Sequence, residues 1–135
     1  MSKPDLTELC VYSIKKYDDL FDRHENNGTG IFTEAKNWAS AKRILEKAKK
    51  TGASLPIIFA DANECDILYY WAVLTDIRIT KTGDNQFQTQ YSFKNMQEIK
   101  GKKKKTALIL DSSAKKLDDY FIRSYAICRT PKFIG

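Results

Sequence analysis

A hydrolytic site needs a base beside a nucleophile, and this sequence of 135 residues offers a single histidine. His24 sits between Arg23 and Glu25, so any Ser–His or Cys–His pair would have to use it. Nothing in the spacing brings a serine or cysteine to it, and it reads as a histidine on a surface helix. Cys10, Cys65 and Cys128 are dispersed and make no Cys-x-x-Cys pair. One histidine and three scattered cysteines do not give zinc-ligand spacing. An odd count also argues against a secreted disulfide framework, so three reduced thiols in or near the core are expected. Gly28-Thr29-Gly30 lacks the Lys-Ser/Thr that a phosphate-cradling loop needs. Asp61, Glu64 and Asp66 share one segment and Asp118-Asp119 another. A nuclease would gather such groups around a divalent ion, but loop carboxylates usually form turns. The sequence therefore predicts no catalytic residue, no metal and no cofactor, and a binding protein rather than an enzyme.

The basic residues carry more information. The net charge of +6 is unevenly spread: residues 34–50 carry +4 and residues 94–105 carry +5. Residues 1–33 carry −2, residues 51–93 carry −3 and residues 106–135 carry +2. Two short segments thus hold most of the positive field, which attracts polyanions if folding brings them together. Lys36, Arg43, Lys47 and Lys50 form the first stripe, and Lys102, Lys103, Lys104 and Lys105 the second. Arg123 and Arg129 flank the last apolar run and can fork onto phosphate or pair with Asp118 or Asp119.

The elements that must position these groups follow from periodicity. Glu8 to Ile14 is a first strand or the start of a helix. Tyr17 to Glu25 reads as a helix with Leu20 and Phe21 inward, ended by Asn26 to Gly30. Thr33 is expected to cap a helix from about Glu34 to Lys50, with Trp38, Ala41, Ile44, Leu45 and Ala48 on one face. Leu55 to Ala60 and Leu68 to Thr80 read as strands, and Phe87 to Phe93 pairs back on the second across Thr82-Gly83-Asp84-Asn85. Gly101 to Lys105 is expected as a basic loop, Ala107 to Leu110 as a short core strand, Ser112 or Ser113 to Leu117 as a helical turn, and Tyr120 to Cys128 as the last strand. Tyr69-Tyr70-Trp71 heads the long strand, and alternation sends Tyr70 to one face and Tyr69 with Trp71 to the other. Helices before a run of strands predict an α+β class: a small, partly closed β-barrel of five to six strands with one or two helices at its edge. No run approaches the roughly 20 apolar residues of a membrane span. Residues 1–135 read as a single cytoplasmic domain with no membrane partner.

That order resembles the PUA-like superfamily, which includes the PUA, ASCH, YTH and EVE domains. Three stretches carry the resemblance: Lys49-Lys50-Thr51-Gly52 leading into Leu55-Pro56-Ile57-Ile58-Phe59-Ala60, the hairpin of Tyr70 to Ile77 with Thr89 to Phe93, and Phe121 to Pro131. The likeness is one of pattern and order over residues 34–131. It implies nucleic-acid binding, to RNA or to single-stranded or modified DNA, with Trp38, Tyr69, Tyr70 and Trp71 as candidate base-stacking residues. A protein-interaction or regulatory domain is the alternative, and a metal-dependent nucleic-acid or nucleotide enzyme ranks third.

Overall fold

A computed structural model describes residues 5–64, 67–117 and 125–134, with the side chain of Lys102 outside that description. Six strands and two helices follow one another as β1 (Leu9–Lys15), α1 (Tyr17–Glu25), β2 (Gly30–Glu34), α2 (Ala39–Thr51), β3 (Pro56–Asp61), β4 (Ile67–Gly83), β5 (Gln86–Lys104) and β6 (Tyr125–Arg129). A short 3-10 turn at Lys105–Ala107 lies between the last two strands. The chain is an α+β protein built on one mixed sheet in the order β2-β5-β4-β3-β1-β6. Among the described strands only β1 and β3 pair in parallel, with a lone parallel bridge of Leu6 to Ser54 beside them.

The sheet has an apolar side chain on nearly every central residue, and β3 is buried along its whole length. This is the pattern of a strand covered on both faces. Val11, Ile57, Phe59, Ala72, Leu74 and Phe93 point into one core, which Leu20 of α1 and Ala41 and Leu45 of α2 complete. Cys10, Tyr12, Ile58, Ala60, Trp71 and Val73 point into the other, which Leu108, Leu117 and Ile134 cover. Cys10 and Cys128 are buried register partners on β1 and β6 and carry free thiols, as expected for core cysteines. Cys65 lies outside the described residues.

No backbone ladder joins the outer strands β2 and β6 among the described residues, so the sheet is not a closed barrel. It is nevertheless strongly curled. Strands β5 and β6 stand four places apart in the order, about 19 Å on a flat sheet. Yet the Trp38 ring stacks on Tyr91 of β5 at 4.2 Å and on Tyr125 of β6 at 4.6 Å, both at 17°. Backbone bonds fix the same segment at both ends. Trp38 N–H donates to Thr89 Oγ1 at 3.2 Å, and the Thr89 hydroxyl donates to the Lys36 carbonyl at 2.6 Å. Ala41 N–H donates to the Tyr125 hydroxyl oxygen at 3.2 Å. A second link joins β1 to β2, also four places apart, through Lys15 Nζ and Glu34 Oε1 at 2.6 Å.

Several expected boundaries shift. Glu8 to Ile14 resolves into a strand, because its side chains are buried on both faces between β3 and β6. The helix expected from Glu34 begins at Ala39, and Thr33 is not its cap. Gly30–Glu34 is instead a strand, with Phe32 inward opposite Tyr91 and Ile31 turned out at 52% exposure. The apolar face of α2 is as expected, with Trp38, Ala41, Leu45 and Ala48 buried, and Gly52 at φ 74° supplies its left-handed stop. On α1, Leu20 is inward but Phe21 is 44% exposed. The basic stretch from Gly101 is not a loop. Strand β5 runs through it to Lys104, pairing Lys103 with Leu68 and Lys104 with Ile67. The stretch after Ser112 is a bridged turn rather than a helix, with Ile109 opposite Lys116. Gly28, at φ 67°, lies so close to β5 that a Cβ would stand 2.9 Å from Met96 N.

Candidate binding surfaces

Helix α2 buries one side against the inner core and leaves Arg43, Lys47 and Lys50 exposed on the other, with Lys36 exposed in the segment before it. The i, i+4, i+7 spacing puts the three helical cations in a row along the axis. Among the described residues the ion pairs are Lys15–Glu34, His24–Glu25 and Arg78–Asp76, so none of these four forms an ion pair, and the exposed Glu46 lies one turn along α2 from Arg43 and Lys50. Arg43 Nη2 donates only to Ser40 Oγ at 3.2 Å. Shallow clefts run along α2 on more than one side. One of about 450 Å³ is lined by Ser40, Arg43, Asp111 and Tyr125. Another of about 520 Å³ lies between Lys47 of α2 and the chain before β1. A third of about 290 Å³ brings Lys49 together with Lys94 of β5.

Tyr125 is thus added to the surface beside Arg43, while Lys49 and Lys94 line a separate cleft. Burial holds the Tyr125 phenol above its usual titration range, while its contact with Ala41 pulls the other way. Its hydroxyl therefore stays protonated and remains a fixed anchor for the start of α2.

Two residues of the second basic stretch, Lys103 and Lys105, do not join this surface. Lys105 is 1% exposed at the start of the 3-10 turn, so it is corrected from a phosphate contact to a buried residue. Lys103 lies over the Phe133 ring at 5.4 Å, and Phe133 packs on the outer core, the opposite face of the sheet from α2. Lys104 and Arg129 are exposed. The Lys102 side chain, Arg123, Asp66, Asp118 and Asp119 lie outside the described residues.

Three of the four expected stacking rings are also corrected. Trp38, Tyr70 and Trp71 are 0, 1 and 5% exposed and serve as packing. Tyr69 alone is half-buried. A register shift between Leu68 and Tyr70 breaks the strict alternation, so Tyr69 packs toward the same core as Tyr70 and not with Trp71.

Tyr69 faces a cleft of about 430 Å³ whose walls include Tyr17, Glu64, Ile67, Glu98 and Ile99. The Tyr17 ring meets the Tyr69 ring edge-on, 5.1 Å away at 67°, and lies 6.1 Å from Tyr70. Tyr69 donates its hydroxyl to Glu64 Oε2 at 3.1 Å. Burial and the Glu64 carboxylate both hold the Tyr69 phenol above its usual range. Asp61, at the end of β3, accepts from Tyr17 N–H at 3.1 Å and from Asn63 N–H at 3.2 Å. It therefore caps the start of α1 and closes the β3–β4 turn. Among the described residues no group of three or more His, Cys, Asp or Glu is arranged to hold a metal ion.

No family model, curated protein or solved structure matches this chain. No helix among the described residues is long and apolar enough to cross a membrane.

Proposed function

We propose that this chain is a cytoplasmic nucleic-acid-binding module of PUA-like type, working on single-stranded RNA or DNA through the outer side of α2. One observation carries the reading: Arg43, Lys47 and Lys50 stand exposed in a row, unpaired by any carboxylate among the described residues, with Lys36 exposed in the segment before them. Lysines act on phosphates as point charges and carry no sequence code. With Trp38, Tyr70 and Trp71 buried, binding tracks the backbone and tolerates sequence. In this reading the curled sheet is a partly closed barrel, and the Tyr91–Trp38–Tyr125 stack spans the gap between β5 and β6.

The test is fluorescence anisotropy with single-stranded and duplex RNA and DNA across a salt series. Neutralising three phosphates supplies about a hundredfold in affinity at 0.1 M salt for a single strand. The triple variant Arg43→Glu, Lys47→Glu, Lys50→Glu is expected to lose at least that much and to flatten the single-strand salt slope by about 2. Absence of salt-dependent binding by the wild-type chain would sink the proposal.

A protein-interaction role has its own observation: Ile31 is 52% exposed on β2, an outer strand with an unpaired edge among the described residues. A pull-down that survives nuclease and is lost on Ile31→Lys favours it.

A further inference from the structure

The geometry points to a second site, in the cleft between the β3–β4 turn and β5, that takes an alkylated ammonium cation such as a choline-like or methylated-lysine head. This site is independent of the nucleic-acid reading. Three features converge on it. The first is aromatic walls. Tyr17 is 36% exposed and meets Tyr69 edge-on at 5.1 Å, with Phe21 stacked on it at 6.2 Å, so two rings at a steep angle line the cleft. The negative face of such a ring attracts a cation, most strongly where water is partly excluded. The second is charge. Glu64 enters from the turn and Glu98 from β5, where it is the register partner of Tyr70, and no lysine or arginine is among the described lining residues. This acidic wall borders the basic end of β5, where the exposed Lys104 is the register partner of Ile67. The third is the apolar remainder of the wall, Ile67 and Ile99, in a cleft of about 430 Å³.

These features select among cations. A metal ion is disfavoured because Glu64 already accepts from the Tyr69 hydroxyl, and among the described residues no third carboxylate, histidine or cysteine completes a ligand set. Glu64 Oε2 is engaged by Tyr69, so a guanidinium could fork only onto Glu98 among the described lining residues, and arginine is the competitor the titration must separate. A methylated ammonium needs no hydrogen bond, fits apolar walls with its methyl groups, and gains from both rings and both carboxylates. Phosphates are repelled from the same place, so the polyanion and the cation do not compete for one surface.

The experiment titrates the full chain with choline, with its uncharged carbon isostere 3,3-dimethylbutan-1-ol, with arginine, and with a short peptide bearing trimethyl-lysine, read by calorimetry and by shifts of tyrosine ring resonances. Choline or the peptide is expected to bind at least tenfold more tightly than the isostere and than arginine. The tighter of the two says whether the head belongs to a free molecule or to a protein. Tyr17→Ala is expected to weaken binding about tenfold. Because Tyr17 begins α1 and its loss can disturb that helix, Glu98→Gln on the exposed side of β5 is the second variant, expected to weaken binding about threefold with an unchanged melting temperature. The α2 triple charge reversal should leave choline binding intact, which separates the fate of this site from that of the nucleic-acid surface. Equal binding of choline and its isostere, tighter binding of arginine, or no binding by choline or the peptide at 20 mM would overturn the inference.

Discussion

The α2 surface and the Tyr17–Tyr69 cleft are built on the same sheet and use charge in opposite ways. The first is convex, wet and positive: Arg43, Lys47 and Lys50 project from a helix and form no ion pair among the described residues. The second is concave, aromatic and negative, with Glu64 tied to Tyr69 by a hydrogen bond. A row of separated like charges on a surface gains from the number of counter-charges met, so it suits a polymer. A single cleft with aromatic and acidic walls gains from shape and partial desolvation, so it suits one small group. The net charge of +6 describes neither region, because it sums over both.

The largest effect expected is on the frame that carries both. Trp38→Ala removes the indole stacked between Tyr91 and Tyr125 and leaves a cavity in the inner core. A loss of about 3–5 kcal/mol in urea unfolding is expected, and a loss under 1 kcal/mol would show that the two ends of the curl hold without it. Next comes the salt series, which pulls the two surfaces apart. Raising salt from 50 to 200 mM is expected to weaken single-strand binding about twentyfold if three phosphates are met. Choline binding should change by no more than about twofold over the same range, since one partly enclosed charge is screened far less. Equal salt sensitivity at both sites would erase the distinction.

The smallest effect concerns pH and the shared sheet. Burial pushes the Cys128 thiol up to about 12, with the Asp111 carboxylate adding to it. Cys10 is pushed up further, by burial first and then by Cys128. Both thiols stay protonated in the folded chain while the unfolded chain ionises them near pH 8.5. The stability they contribute is therefore complete below about pH 8.5 and is lost as pH rises toward the folded values. Unfolding titrations should show a fall of about 1.4 kcal/mol per pH unit for each thiol above pH 9. Cys128→Ala should make that fall shallower, and an unchanged slope would place the thiol in contact with solvent.

Local pattern made much of this legible. The apolar face of α2 is readable because a helix repeats every 3.6 residues, and the β4–β5 hairpin because its two β-rich runs flank Gly83-Asp84-Asn85. The exposed row of Arg43, Lys47 and Lys50 follows from the same helical period. Other features depended on pairing between distant residues. Gly30–Glu34 is a strand because Phe32 finds Tyr91 across a ladder, a partner some sixty residues away that no local window contains. The Gly101–Lys104 stretch looks like a solvated loop by composition, and it is a strand because β4 extends far enough to pair with it.

The sequence by itself determined the charge blocks, the amphipathic helix, the core-forming strands and the absence of a ligand-spaced Cys/His set, since each is a property of neighbours along the chain. Only the tertiary structure decided which charges and rings face water together. It put α2 and Lys103 on opposite faces of the sheet, buried Lys105 and Trp38, and used the shift at Leu68/Tyr70 to turn Tyr69 toward Tyr17. Those outcomes depend on curl, register and bulge. They are set by how six strands satisfy their backbone bonds at once, and no single segment encodes them.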